Sequence, residues 1–362
     1  MKKINRRQRK RDWNKKLALK KHQSNINFKS YKKRASKRYN KSFEELVSEL
    51  KAFQNDNVKV TAPLYFSLIK NPEETIDFVN KIEQLYLNKQ EVFVDLKNIK
   101  FLDHSAITIL VSILFSFKSR NIGFNGNFPK NKDLSLLLIN SDFFKYLQRV
   151  NIPEKLEYKI GKQNQLFTRA NKEVNSELGL IVMAEASKTV WGEHRTCKGL
   201  QRTLLELMQN TNNHAELNEK GEKHWWLSVN QNKSEKKVSF IFVDYGIGIF
   251  ESLKNKPETN KWFGWLDKIK NKLVVGGNEE IFKLLLNGEM HLTVTGQHFR
   301  GKGLPGIKEV LDRNQISSLK IISNNVFADV ENDTFTKLKC EFSGTFVSWE
   351  LNENNQNIKW VV

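Results

Sequence analysis

Val238-Ser-Phe-Ile-Phe-Val-Asp244-Tyr-Gly246-Ile-Gly248-Ile249 is an apolar run that stops abruptly at an acid and two spaced glycines. Val, Phe and Ile in close succession have the composition of a buried strand. A carboxylate at the end of such a strand can accept a hydrogen bond from an exocyclic amine. Glycines at 246 and 248 let the backbone come close to a flat ring. The same letters also suit a strand that merely turns into a loop, so the flanking sequence has to decide.

Upstream, Leu204-Leu-Glu206-Leu-Met-Gln-Asn210-Thr-Asn-Asn213-His214-Ala215 reads as a helix. At helical spacing Glu206, Asn210, Asn213 and His214 fall on one stripe, beside a mostly apolar face of Leu200, Leu204, Leu207 and Thr211. A polar stripe flanking a buried face can line a pocket or simply face water. Downstream, Thr295-Gly296-Gln-His-Phe-Arg300-Gly301-Lys302-Gly303-Leu304-Pro305-Gly306-Ile307 runs into a helix over 307–311. Glycines ahead of a helix offer backbone N–H groups to phosphate, Arg300 and Lys302 add positive charge, and Pro305 suits the first turn. Last comes Gly344-Thr345, inside a strand over 342–351.

In this order the four motifs resemble the N, G1, G2 and G3 boxes of the GHKL superfamily, which includes gyrase-type ATPases, heat-shock chaperones, mismatch-repair ATPases, histidine kinases and anti-sigma-factor kinases. The resemblance rests on residues 171–351. It implies a Bergerat-fold α/β sandwich over 171–362 that holds ATP and Mg²⁺ between an antiparallel sheet, the N-box helix and a lid. Carried over by residue, Glu206 is the catalytic base, Asn210 the Mg²⁺ ligand and Asp244 the acceptor for the adenine amine, supported by Thr345. Arg300, Gly301, Lys302 and Gly303 contact the phosphates. Asn213, His214, Gly246, Gly248, Thr295, Gly296 and Leu304 complete the implied nucleotide-binding set.

Histidine kinases usually carry Asn where this chain has Glu206, whereas ATPases and anti-sigma-type kinases carry Glu, which can act as a general base. Gyrase-like members place a transducer domain after the pocket, and here the chain reaches Val362 soon after Leu351. The spacing Glu206, Asn210, His214 is most similar to the anti-sigma-factor kinases, although the stretch from Gly248 to Gly301 is longer than those compact modules need. Serine kinase, slow ATPase and a binding-only switch all stay open.

The N-terminal half alternates strand and helix. Val58, Val60 and Ala62 suit a strand, Ile76 to Leu85 a helix, Val92 to Leu96 a strand, Ser105 to Lys118 an apolar helix, Ile122 to Gly126 a strand and Leu134 to Phe144 a helix. Val92-Phe-Val-Asp95, continuing to Asp103-His-Ser105-Ala106, resembles the STAS domain of anti-sigma-factor antagonists, in which a strand leads to D-S-S-G at a helix start. The resemblance covers about 57–150 of a domain placed at 44–152 and makes Ser105 the candidate phosphoacceptor. His104 and Ala106 replace the usual serine and glycine, and Asp103 also reads simply as a helix cap. The polar stretch 153–170 reads as a linker between two domains, each with its own core.

Residues 1–43 hold 18 Lys or Arg against the single acid Asp12, a net +17 of the chain's +20. Such a stretch is too poor in apolar residues to fold alone and reads as a disordered tail suited to nucleic acid or another polyanion. Cys197 and Cys340 form no zinc or redox motif. The longest apolar run, Ala106 to Phe117, is too short to span a bilayer. With no secretory signal, the expected location is the cytoplasm, with a protein partner for the ATP-dependent switch. An alternative function is polyanion binding by the tail, gated by the ATP pocket.

Overall fold

Short alternating or wholly apolar runs produce a parallel sheet in the first half of the chain: β1 (Val58–Thr61), β3 (Val92–Asp95) and β5 (Phe124–Gly126), in the order β1-β3-β5. Two further short strands, β2 (Tyr65–Phe66) and β4 (Phe101–Leu102), pair in parallel beside it. Helix α1 (Pro72–Leu87) starts with Pro72 in its first turn, followed by Glu73 and Glu74, which favour the positive end of the helix dipole. Helix α2 (His104–Ser119) begins at Asp103, whose carboxylate accepts the N–H groups of Ser105 and Ala106. Helix α3 (Lys132–Asn140) is capped in the same way by Asn131. The computed structural model describes residues 52–54, 56–141, 164–171, 174, 176–213, 225–246, 248–250, 277–289 and 303–355. The tail 1–43 lies outside them, and the helix expected over Leu134 to Phe144 instead runs from Lys132 to Asn140, with Ser141 at its C-cap.

The second half forms a five-stranded antiparallel sheet in the order β6-β7-β8-β10-β9, from β6 (Asn164–Asn171), β7 (Trp225–Asn232), β8 (Lys237–Asp244), β9 (Ser317–Asp329) and β10 (Thr334–Leu351). Helices α4 (Ser176–Trp191), α5 (Lys198–Asn213), α6 (residues 277–286) and α7 (Gly303–Asp312) accompany it. The stretch expected as a linker over 153–170 therefore ends in a strand: residues 164–171 pair along their whole length with β7. The fold is a mixed α/β one with parallel and antiparallel sheets, and among the described residues no helix is long and apolar enough to cross a membrane.

Residue alternation shows how the layers stack, because successive strand residues point to opposite faces. On one face of the five-stranded sheet Trp225, Leu227, Phe240, Phe242, Leu319, Ile321, Val347 and Trp349 join a core with α4, α5, α6 and α7. On the other, Trp226, Ile241, Val243, Ile322 and Phe346 join a core built by β1, β3, α1 and α2. Phe115 of α2 meets Trp226 edge-on at 5.5 Å between ring centroids, and Asn80 of α1 donates to the Glu341 carbonyl at 2.9 Å. Helices α1 and α2 thus lie between the two sheets, which explains why α2 is buried on nearly every side. Residues 57–362 make one compact unit. The sequence led us to expect separate cores for two domains; instead the second sheet has apolar side chains on both faces, and one of those faces is completed by the N-terminal helices.

Candidate functional site

Strand β8 carries Phe240 and Phe242 toward the face covered by α5 and α7, so its last residue, Asp244, points to that same face. Asp244 is buried, and its register partners are Trp225 on β7 and Thr345 on β10. Thr345 shares its face with Val347 and Trp349, and Ser323 of β9 shares its face with Leu319 and Ile321. Asp244, Thr345 and Ser323 therefore gather at one end of the sheet, on the side of α5.

The turn after Asp244 is shaped by glycine where glycine is needed. A Cβ on Gly246 would sit 3.2 Å from the Asp244 carboxylate. Gly248 has φ +74°, and a Cβ there would come within 2.3 Å of Asn324 Oδ1. Gly344, with φ +133°, lies directly against the Asp244 carbonyl, where a Cβ would approach to 1.9 Å. Gly248 and Gly344 allow only hydrogen as a side chain, for reasons of both backbone conformation and space, whereas at Gly246 the constraint is a tight contact alone. Two residues overlooked in the sequence hold the turn: Ser323 Oγ accepts from Ile249 N at 2.9 Å and donates to the Gly344 carbonyl at 3.1 Å, and Asn324 Oδ1 accepts from Phe250 N at 3.1 Å.

Helix α5 brings Glu206 to the same side of the sheet, since Leu204, Leu207 and Met208 pack into the core that Phe240 and Phe242 share. Glu206 Oε1 accepts from Arg202 Nε at 3.1 Å, one turn earlier, while Oε2 is buried with no hydrogen-bond partner among the described residues. Helices α5 and α7 cross closely at two glycines: a Cβ on Gly199 would lie 3.1 Å from Val310, and one on Gly306 would lie 3.1 Å from Thr203. These contacts run antiparallel, so one turn further on the first residue of α7, Gly303, is level with Glu206. The N–H groups of Gly303 and Leu304 belong to the first turn of α7 and have no partner within the helix; Pro305 has none to offer.

No protein-family profile matches the chain, and no curated protein matches its sequence.

Of the candidate residues, Glu206, Asp244, Gly246, Gly248, Gly303, Leu304 and Thr345 lie in described elements around one end of the sheet. Asn210 and Asn213 are in the last turns of α5, beyond Glu206. His214, Thr295, Gly296, Arg300, Gly301 and Lys302 lie outside the described residues. A buried carboxylate oxygen with no partner among the described residues, a helix start level with it and a glycine-floored turn beside a second buried acid suit a ligand that carries an amine at one end and anionic groups at the other. Among the described residues no cluster of three or more His, Cys, Asp or Glu forms a metal site made by protein alone.

Ser105 stands apart from this site. Its hydroxyl is buried, donates to Asp103 and accepts from Leu68 N at 3.0 Å, so both its hydrogen-bonding roles are taken. The candidate phosphoacceptor is thus not presented to an incoming phosphoryl group, and Asp103 acts as a helix cap.

Proposed function

We propose that the chain is a Mg-ATP-binding regulatory protein of the GHKL type, with its nucleotide between the end of the five-stranded sheet and helices α5 and α7. The observation that carries this is the convergence of Asp244 and the Glu206 helix on one face of the sheet, with the start of α7 level with Glu206. Asp244 would take the exocyclic amine of adenine, and Gly246 and Gly248 would admit the ring. The first N–H groups of α7, with Arg300, Gly301 and Lys302, would face the phosphates. Asn210 would ligate Mg²⁺, whose shell is completed by phosphate oxygens and water, and which would neutralise charge on the phosphates. Glu206 would take the proton from an attacking water or hydroxyl, its free oxygen being available for that role.

The test is to incubate purified protein with Mg²⁺ and γ-labelled ATP and to separate free phosphate from labelled protein. Glu206→Gln should bind ATP and lose any turnover, and Asp244→Asn should lose binding. Calorimetry on the intact protein that detects no uptake of ATP would overturn the proposal.

The charge of residues 1–43 favours a second reading, in which the tail binds nucleic acid or another polyanion and the pocket gates it. Deleting 1–43 separates the two: ATP uptake should survive, and salt-sensitive polyanion binding should not.

A further inference from the structure

The hydroxyl of Ser323 lies where three segments meet. It accepts from Ile249 N, at the end of the turn that carries Gly246 and Gly248. It donates to the carbonyl of Gly344, the residue packed against the Asp244 backbone. It also lies 3.4 Å from the hydroxyl of Thr345, the register partner of Asp244. Ser323 is completely buried, so removing its hydroxyl leaves the Gly344 carbonyl without that donor in the interior. Its neighbour Asn324, itself at φ +48°, fills the space a Cβ on Gly248 would need and receives Phe250 N. Strand β9 therefore holds both the turn that follows Asp244 and the segment that carries its register partner Thr345.

We infer that Ser323 is the positioning residue for base recognition: it locks the turn so that Asp244 meets the exocyclic amine of a purine at hydrogen-bonding distance. This rests on the nucleotide reading above and assigns the base selectivity of that site to a residue that would not itself touch the ligand. A hydrogen bond to an ionised acceptor weakens steeply with misalignment. Loosening the turn therefore costs recognition of the amine and leaves the phosphate contacts, which come from α7, as they are.

The probes are ATP and inosine triphosphate, which has an oxygen in place of the exocyclic amine and is otherwise the same size and charge. Wild-type protein should bind ATP roughly tenfold or more tightly than inosine triphosphate, the span of one charge-assisted hydrogen bond. Ser323→Ala should bring that ratio to within about threefold while leaving the affinity for inosine triphosphate unchanged. Ser323→Thr, which keeps the hydroxyl, should restore the ratio. Ser323→Cys keeps the volume and weakens both hydrogen bonds, and it should lower the ratio in the same way should the alanine variant not fold. Failure of the wild-type protein to bind either nucleotide overturns the nucleotide site itself. Discrimination by the wild type that survives in the alanine and cysteine variants overturns the role of Ser323 alone. So does an equal loss of affinity for both nucleotides, which marks a purely structural residue.

Discussion

At the start of α2, His104 has its Nδ1 buried, with no hydrogen-bond partner among the described residues. Burial disfavours the imidazolium, and the pKa of the ring is held down to about 4. In the unfolded chain the same ring titrates near its ordinary value of 6.5. Between those two values the unfolded state binds more protons than the folded one, so stability rises with pH across the window. The contribution of neutral His104 is fully present above about pH 6.5. It is lost progressively as pH falls toward 4, amounting to a few kcal/mol at most. Urea unfolding followed from pH 7 to pH 4 should show this slope, and His104→Gln should flatten it. An identical pH dependence in the variant would show that the ring is solvated or paired in the folded protein.

Among the elements, the α5–α7 contact sets the first turn of α7 against the stretch of α5 that carries Glu206. Gly306 allows the approach, since a Cβ there already meets Thr203 Oγ1 at 3.1 Å and anything larger must push the helices apart. Gly306→Val should destabilise the protein by roughly 1–3 kcal/mol through overpacking, and Thr203→Ala in the same chain should recover part of the loss, as expected for residues in contact. Denaturant midpoints of the single and double variants decide it: strictly additive effects would mean that the two helices do not meet there. Elements of this kind differ in how far they can be read from sequence. Strand β8, the Asp103 cap and the apolar stripe of α5 are written in local spacing, and so were legible. Ser323 and Asn324 were not, because two polar letters in a strand acquire meaning only from the long-range register of β9 against β10 and the turn beyond β8. The pairing of Asp244 with Thr345 lies between these cases, since motif order hinted at it and the antiparallel register supplied it. Strand β6 was hidden for a different reason: its polar residues at 164 and 165 continue the pattern of the preceding stretch.

Across the whole molecule, the two halves of residues 57–362 depend on each other. The face of the second sheet turned away from α5 displays Trp226, Ile241, Val243, Ile322 and Phe346, all buried by the N-terminal helices. Burial of one such side chain contributes about 1.5–3 kcal/mol, so exposing five of them forfeits on the order of 10 kcal/mol, comparable to the net stability of an ordinary domain. The contact also has a polar anchor beside the candidate site. The hydroxyl of Tyr245, next to Asp244, meets Ser112 of α2 at 2.6 Å, and burial pushes its pKa up. A segment comprising residues 164–362 should therefore fail to remain monomeric and folded. By contrast, residues 57–362 should unfold in a single transition seen alike by tryptophan fluorescence and circular dichroism. Size-exclusion chromatography and binding of a hydrophobic dye compare the two directly, because a large exposed apolar face binds dye and self-associates. If the shorter segment stays monomeric, leaves the dye dark and matches the longer one in denaturant midpoint, then the N-terminal helices contribute nothing to the second sheet.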